Sequence, residues 1–115
     1  MKGGIIYEQK EIVLIPFPFS DLTGSKQRPA LIISNKKLNK TEDRICCLVT
    51  SKQSGELIKI TNNDFKEGGL PFESYIKPHR IFTVNRTIIR KKLCTITDNF
   101  HDKIILHINR FIARG

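Results

Sequence analysis

Two short apolar runs separated by a polar segment constrain the fold more than any other feature of this chain. Residues 12–19 and 30–34 are rich in isoleucine and phenylalanine, and each run is too short for a buried helix, so each predicts a β-strand. Pro16 and Pro18 remove two backbone donors from the first run. We therefore expect the second half of this strand to lie at a sheet edge or at a strand end.

The polar segment between the two runs, residues 20–28, ends in a cation. Gly24 allows a tight turn, and Lys26 and Arg28 together with backbone N–H groups form a candidate anion site. Pro29 holds Arg28 extended at the start of the second strand. An ordinary solvated hairpin loop would have the same composition, so both interpretations remain open at this point.

The rest of the chain before residue 97 predicts four more strands and three connecting segments. The predicted strands are residues 45–51, 56–61, 74–84 and 93–96. The unbroken apolar character of 45–51 indicates burial on both faces, and Pro78 interrupts the strand at 74–84. The connections are a loose lead-in at 1–10, whose residues 5–7 can add to a sheet edge, a mobile charged segment at 36–44, and a turn or one helical turn at 62–69.

The C-terminal segment differs because its apolar residues follow a helical period. We expect a helix over residues 98–113, with Asp98 or Thr97 as its N-cap, packing one apolar stripe on the sheet. The stripe consists of Phe100, Ile104, Ile108, Phe111 and Ile112. Several short strands followed by one helix predict a mainly β fold, a small β-barrel with a C-terminal α-helix as a lid.

The charge balance narrows the set of partners. The chain has 20 Lys and Arg against 11 Asp and Glu, giving a net charge of +9, and such a field attracts nucleic acids or acidic protein segments. A basic protein with no nucleic-acid role has the same balance. The length of 115 residues predicts one domain, 1–115. We expect a cytoplasmic protein without membrane association, because no apolar run reaches the ~20 residues of a membrane span and residues 1–10 do not resemble a signal peptide.

Thiol and metal chemistry are not favoured by the sequence. Cys46 and Cys47 are neighbours that point to opposite faces of a strand, so they are poorly placed to pair, and with Cys94 they form no C-x-x-C motif. His101 and His107 are six residues apart, which does not bring them side by side on a helix. No carboxylate cluster suits Mg²⁺, and we predict that the protein uses no metal or other cofactor.

Two further segments are candidate contacts for a phosphodiester. Thr50 and Ser51 present hydroxyls at the end of the third strand, although strand termination alone would also explain them. Residues 77–92 contain six basic and no acidic residues, which fits several phosphate contacts or a solvated rim, and His79 is the histidine nearest to them. The six are Lys77, Arg80, Arg86, Arg90, Lys91 and Lys92.

The first block, IVLIPFPFSDLTGSKQRPALIIS over residues 12–34, resembles the signature of the MazF/PemK toxins, small bacterial endoribonucleases of toxin–antitoxin pairs. The similarity extends over about residues 9–113, and the later marks fall in the family's order. They are Thr50-Ser51-Lys52, Gly68-Gly69-Leu70, Ser74, Arg80-Ile81-Phe82-Thr83 and the final helix. The chain departs from the family at Lys10 and Cys94, where glycines are usual, and at Asn85, where an aspartate is usual.

This resemblance implies a CcdB/MazF-like barrel, close to an SH3-type fold, that acts as a homodimer. It implies metal-independent cleavage of single-stranded RNA and inhibition by an acidic, partly disordered antitoxin. The family's catalytic arginine and threonine fall on Arg28 and Thr50, and a polar residue that holds RNA falls on Arg80. Together with the local sequence, these matches give the predicted RNA-binding set Phe19, Asp21, Ser25, Lys26, Gln27, Ser51, Lys52, His79 and Arg80.

The chemistry expected from such a site is attack of the RNA 2′-OH on the adjacent phosphorus, giving a 2′,3′-cyclic phosphate and a 5′-OH. Arg28 is suited to stabilise the charged transition state, because a guanidinium stays protonated near neutrality and is a poor general base. Thr50 would hydrogen-bond the phosphate or the 2′-OH. The group that takes the 2′-OH proton stays open between His79 and Asp21.

Two other functions compete with the ribonuclease. A CcdB-type inhibitor of DNA gyrase would use the same barrel through its C-terminal helix, but the sequence NRFIARG lacks the tryptophan that such a contact favours. A basic barrel that binds RNA without cutting it would share the charge pattern. Incubation with RNA, and separately with gyrase and supercoiled DNA, distinguishes the three.

Overall fold

The computed structural model describes residues 6–17 and 26–115, with the side chain of Phe17 excepted, as seven strands and two helices. The strands are Glu11–Phe17 (β1), Lys26–Ile32 (β2), Asp43–Thr50 (β3), Ile58–Lys59 (β4), Phe65–Gly68 (β5), Tyr75–Asn85 (β6) and Lys91–Ile96 (β7). The helices are Lys36–Asn39 (α1) and Asp98–Ile112 (α2), and Asn62–Asp64 and Arg86–Ile88 form 3₁₀ turns.

The strands form one antiparallel sheet in the order β4-β6-β3-β2-β1-β7-β5. Its two edge strands, β4 and β5, are separated in sequence only by residues 60–64. Side chains from both ends of the sheet, such as Ile58 and Ile96, pack in one cluster with α2, so the sheet curls around the helix as a half-barrel. The prediction of a mainly β fold with a C-terminal helix is confirmed.

The central strands are buried on both faces, as the sequence of β3 predicted. We call the side that α2 covers the helix face; its buried residues include Ile12, Leu31, Cys47, Val49 and Ile76, packed with Phe100, Ile104 and Ile108. The other side is the opposite face, where Val13, Ile15, Ala30, Ile32 and Cys46 pack with Tyr7, Val84 and Ile89. Cys46 and Cys47 lie on different faces and are unpaired, as expected from their adjacency.

The first strand is an edge over its second half. Its pairing with β7 ends at Leu14↔Lys91, whereas its pairing with β2 continues to Phe17↔Lys26. Pro16, which has no N–H to donate, therefore faces a side without a ladder, as predicted. Pro18 and the rest of the predicted strand end at residue 19 lie outside the described residues.

The second strand begins earlier than predicted, and this changes the position of Arg28. Lys26, Gln27 and Arg28 were expected in a loop but belong to β2, paired with Phe17, Pro16 and Ile15. A ladder needs only backbone groups, so polar side chains at its end do not prevent pairing. β3 and β7 likewise begin two residues before the predicted bounds, and β2 and β3 end before Ser34 and Ser51.

Three connecting segments differ from the predictions. Residues 36–44 are not a loose connection, because Asn35 caps α1 and Asn39 bonds the carbonyl of Ser34. The strand predicted at 56–61 is reduced to the two residues of β4, and the turn predicted at 62–69 contains β5. β5 pairs with β7 about 30 positions further along the chain, a long-range partner that local composition does not reveal.

β6 is continuous where a break was predicted at Pro78. Its register against β3 jumps between Lys77↔Leu48 and Ile81↔Cys47, so Pro78, His79 and Arg80 form a bulge that accommodates the missing N–H. At the chain start, Tyr7 is buried, and residues 6 and 7 do not extend a sheet edge; residue 5 lies outside the described residues.

α2 forms as predicted over nearly its whole length, and Thr97 is its N-cap, accepting a hydrogen bond from the Phe100 N–H at 3.1 Å. Phe111 and Ile112, however, are 46% and 72% exposed, because the buried residues of α2 end at Ile108. The predicted burial of these two residues is wrong. No helix in the described part of the chain is long and apolar enough to cross a membrane.

A buried arginine that the sequence did not reveal anchors the chain start. The side chain of Arg44, 1% exposed, donates from Nε to the Tyr7 carbonyl at 2.9 Å. Its Nη1 donates to the carbonyls of Thr41 and Asp43 at 2.9 and 2.8 Å. Burial lowers the pKa of this guanidinium from its ordinary value. Three carbonyls around one guanidinium tie the lead-in and the connection before β3 to the opposite face.

Replacing Arg44 with leucine should lower the free energy of unfolding by about 3 kcal/mol, because three carbonyls lose a charged donor. Urea denaturation measures this change. Arg86, whose Nε lies 3.1 Å from a Glu42 carboxylate oxygen in a partly exposed ion pair, is the matched control. Arg86→Leu should cost less than about 1 kcal/mol. Equal losses from the two variants would contradict the assigned role.

Candidate functional site

Arg28 lies in β2 at the end of the sheet where the predicted site was expected. Its neighbour on β1 is Ile15, and its side chain is half-buried. Within residues 6–17 and 26–115, no group forms a hydrogen bond or ion pair with its guanidinium. Its five N–H donors are therefore not committed to any described part of the protein.

Thr50 is the last residue of β3 and is 9% exposed. Its Oγ1 accepts a hydrogen bond from the backbone N–H of Lys52 at 3.1 Å. A hydroxyl oxygen that accepts this bond still has its own proton to donate. Thr50 is therefore arranged as a hydrogen-bond donor to a ligand, and the bond from Lys52 makes the oxygen a weaker base.

The β2–β3 register brings these two residues together. The paired residues run from Ile32↔Cys46 to Ala30↔Leu48. The paired residues end at Ala30↔Leu48, and continuing the same register for two more positions along both antiparallel strands places Arg28 level with Thr50. Arg28 lies two residues from Ala30, and Thr50 lies four residues from Cys46. Because side chains an even number of residues apart in a strand share a face, both belong to the opposite face, away from α2. A guanidinium and a hydroxyl donor thus lie on neighbouring strands, at one level and on one face.

The same level continues across two more strands. β6 pairs Tyr75 with Thr50, and β4 pairs Lys59 with Tyr75. Directly opposed residues in antiparallel strands share a face. We call the series Arg28, Thr50, Tyr75 and Lys59 the site row. Sequence reasoning missed Tyr75 and Lys59, because only the register of β4 and β6 places them beside Thr50.

Glu73 contacts Lys59 and Tyr75, the two residues of the site row on β4 and β6. One of its carboxylate oxygens lies 3.2 Å from Lys59 Nζ, and the other accepts a hydrogen bond from the Tyr75 hydroxyl at 3.2 Å. Hydrogen bonds from Lys59 and then Tyr75 lower the pKa of Glu73, so this group is a carboxylate at neutral pH. Lys59 is therefore held in position at the edge of the sheet.

The other predicted contact residues divide into three groups. Lys26 and Gln27 are exposed at the start of β2, and Ser51 and Lys52 are exposed directly after Thr50, so these four flank the Arg28–Thr50 level. Phe19, Asp21 and Ser25 lie outside the described residues.

His79 and Arg80 form the third group, in the β6 bulge. Both are exposed, and the His79 ring contacts the Phe111 ring of α2 edge-on, with the ring centres 6.2 Å apart and the planes at 79°. This contact links the β6 bulge to the last turn of α2. His101 is buried in the first turn of α2.

The six basic residues of segment 77–92 do not act as one positive stripe. Lys92 Nζ lies 2.7 Å from Glu67 and 3.7 Å from Glu11, and Arg86 pairs with Glu42. Hydrogen bonding to Glu67 raises the pKa of Lys92. Two of the six charges are therefore matched by carboxylates within the protein.

The cysteines are protonated thiols, and the potential metal ligands are not clustered in the described part of the chain. Burial raises the pKa of Cys46 and of Cys47 to about 12 and that of Cys94 to about 11, so all three are neutral thiols near pH 7. No group of three or more His, Cys, Asp or Glu side chains in the described ranges is arranged to hold a metal ion.

Comparison with known proteins gives one family and several structures. The family described as "PemK-like, MazF-like toxin of type II toxin-antitoxin system" matches residues 8–112. No curated protein matches the sequence significantly.

The similar solved structures share the fold at low sequence identity. An endoribonuclease in complex with its cognate antitoxin from a Mycobacterial species has a TM-score of 0.76 at 16% identity, covering 95% of this chain and 97% of that one. An endoribonuclease from a Mycobacterial species gives 0.71 at 18%, covering 92% and 90%. A MazE–MazF crystal structure from Deinococcus radiodurans gives 0.77 at 15%, covering 97% and 100%.

The thiols should resist alkylation in the folded protein. With pKa values of about 11 to 12 and buried sulfurs, none of the three should react with iodoacetamide at pH 8, whereas all three should react in guanidinium chloride. Mass spectrometry counts the modified sites. Rapid modification of any one of them in the native protein would contradict the burial described above.

Proposed function

Because the chain belongs to the PemK-like, MazF-like toxin family of type II toxin–antitoxin systems, we propose that it is an endoribonuclease that cleaves single-stranded RNA. The observation that carries this proposal is the level shared by Arg28 and Thr50 on one face of the sheet. The two side chains supply complementary donors to one phosphodiester, and no described group neutralises the arginine.

The reaction is an internal transfer at phosphorus. The 2′-oxygen forms a bond to the adjacent phosphorus and loses its proton, and the bond to the 5′-oxygen of the next nucleotide breaks as that oxygen gains a proton. The products are a 2′,3′-cyclic phosphate and a 5′-OH end. The protein must stabilise the extra negative charge on the phosphoryl oxygens and handle two protons.

Arg28 stabilises this charge. Its planar guanidinium can donate two parallel hydrogen bonds to two phosphate oxygens, which a lysine cannot do. Its position in β2, between β1 and the end of β3, limits the directions that it can take. This charge stabilisation requires no metal ion, so cleavage should proceed in the presence of EDTA.

Thr50 donates its hydroxyl proton to a phosphate oxygen or to the 2′-oxygen. The hydrogen bond from the Lys52 N–H to its oxygen orients the hydroxyl, and no described side chain contacts the hydroxyl as a base that would remove its proton. His79 stays a candidate proton acceptor; its ring contacts Phe111 of α2. Asp21, the other candidate, lies outside the described residues.

RNA flanking the cleaved linkage would contact the exposed side chains on either side of the site, Lys26 and Gln27 on β2 and Ser51 and Lys52 after β3. We further propose a single-domain cytoplasmic toxin that forms a homodimer and is inhibited by an acidic antitoxin. The net charge of +9 supports binding of such a polyanionic partner. Among the similar structures, a Mycobacterial endoribonuclease was solved with its cognate antitoxin.

Arg28→Ala should reduce the rate of RNA cleavage by at least about 10³-fold, because the transition-state charge loses its bidentate donor. Arg28→Lys should recover little of this loss. Cleavage is measured in EDTA with mapping of the new 5′-OH ends and detection of the cyclic phosphate, and circular dichroism checks the fold.

The matched control is Arg110→Ala, which removes an exposed arginine from the last turn of α2. This variant should cleave at the wild-type rate. Full activity in folded Arg28→Ala would refute the assignment, and gel-shift binding without cleavage by the wild type would identify a non-catalytic RNA-binding barrel instead.

Thr50→Val keeps the side-chain shape but removes the hydroxyl. We expect kcat to fall roughly tenfold or more with little change in KM, as for the loss of one hydrogen bond formed in the transition state. Thr83→Val, at an exposed position of β6, is the control and should behave as wild type. A pure KM effect in Thr50→Val would assign the hydroxyl to ground-state binding.

A further inference from the structure

A cleft lies at the seam of the half-barrel, next to the end of the site row. It occupies about 410 Å³ between β4, the 3₁₀ turn Asn62–Asp64 and the segment before β6. This volume falls within the range of small-ligand sites, about 300–1,000 Å³. Lys59 belongs both to the site row and to the cleft wall, so the two are continuous.

Apolar surface provides one side of the cleft. Phe65 and Leu70 pack against the buried residues of the helix face, whereas the side chain of Phe72 is 75% exposed. An exposed phenylalanine beside a cleft can stack on a flat ring, and aromatic stacking is the usual way in which proteins hold unpaired bases. The Phe72 backbone carbonyl accepts a hydrogen bond from Ser74 Oγ at 2.8 Å, which orders the segment independently of the ring.

Polar groups line the rest of the cleft in a form suited to a neutral ligand. Among the described residues that line it, Lys59 and Glu73 are the only charged ones, and they pair with each other, so their charges cancel. The Asn62 side-chain amide forms no hydrogen bond to any described residue and offers both a donor and an acceptor. A base edge, which carries donors and acceptors without charge, fits this lining better than a bare phosphate does.

The cleft is also at a suitable distance from the proposed site of cleavage. Lys59 and Thr50 are separated by the single strand β6, which is two strand spacings or about 10 Å. A few nucleotides of extended RNA cover this distance. The row from Thr50 through Tyr75 to Lys59 runs along the opposite face to the edge strand β4. The strand would turn around this edge beside Lys59 to enter the cleft, because Phe65 and Leu70 in its wall belong to the helix-face cluster.

We propose that this cleft binds one nucleobase of the RNA substrate, at a position flanking the cleaved linkage, and thereby contributes to sequence preference. Phe72 stacks on the base, Asn62 bonds its edge, and the Lys59–Glu73 pair borders its sugar and edge. The inference rests on the proposed ribonuclease function, since it assigns the cleft to the same RNA.

The test measures binding separately from cleavage. The wild type and its variants are incubated with a random pool of 2′-fluoro RNA, which lacks the attacking hydroxyl, and the bound fraction is sequenced. The wild type should enrich particular bases at one position. Phe72→Ala should weaken binding on the order of tenfold and flatten that preference, and Asn62→Ala should change which base is enriched. Leu106→Ala, which truncates an exposed apolar side chain on α2, should change neither.

Two results would overturn the inference. One is no RNA binding by the wild type, and the other is unchanged RNA affinity and base preference in Phe72→Ala. If Phe72→Ala in the second case also loses binding of poly-L-glutamate, a probe for an acidic protein segment, the cleft is assigned to a protein partner. Failure of the proposed function is distinguished by the Arg28→Ala cleavage assay, whose outcome does not depend on the cleft.

Discussion

The antiparallel register between β2 and β3 is the constraint on which the rest of the molecule depends. The pairing of Ala30 with Leu48 fixes which side chains of both strands share a face. A slip of one residue would turn every side chain of one strand to the other face, moving Leu31 out of the helix face and Arg28 away from Thr50. The packing of the core and the composition of the site are therefore set by the same hydrogen bonds.

One face of the sheet packs against the C-terminal helix, and the other face carries the candidate site. The helix face is closed by α2, whose Phe100, Ile104 and Ile108 fill the curl of the half-barrel. The opposite face is apolar at its centre and becomes polar near the start of β2 and the end of β3, where Arg28 and Thr50 lie. Arg44 secures the other end of β3 through three carbonyls. The strand that carries Thr50 is thus held rigidly, which favours precise placement of its hydroxyl.

Some of the cationic side chains pair with carboxylates of the protein, and others have no carboxylate partner among the described residues. Lys92 and Arg86 are matched by carboxylates on neighbouring segments, and Lys59 is matched by Glu73. Arg28 has no such partner among the described residues. An arginine without a carboxylate, within a protein of net charge +9, is available to an anionic ligand. Net charge alone would not have distinguished it from the cations that serve the fold.

The sequence by itself determined the strand pair around Arg28, the burial of β3 on both faces, the edge character of β1 near Pro16 and the helix capped at Thr97. These follow from local rules of periodicity, proline geometry and capping, which need no distant partner. Only the tertiary structure decided that Tyr75 and Lys59 join the level of Thr50, that residues 65–68 form a strand, and that Arg44 is buried. Each of these depends on pairing between segments far apart in the chain, and strand register across such distances is chosen by the packing of the whole sheet.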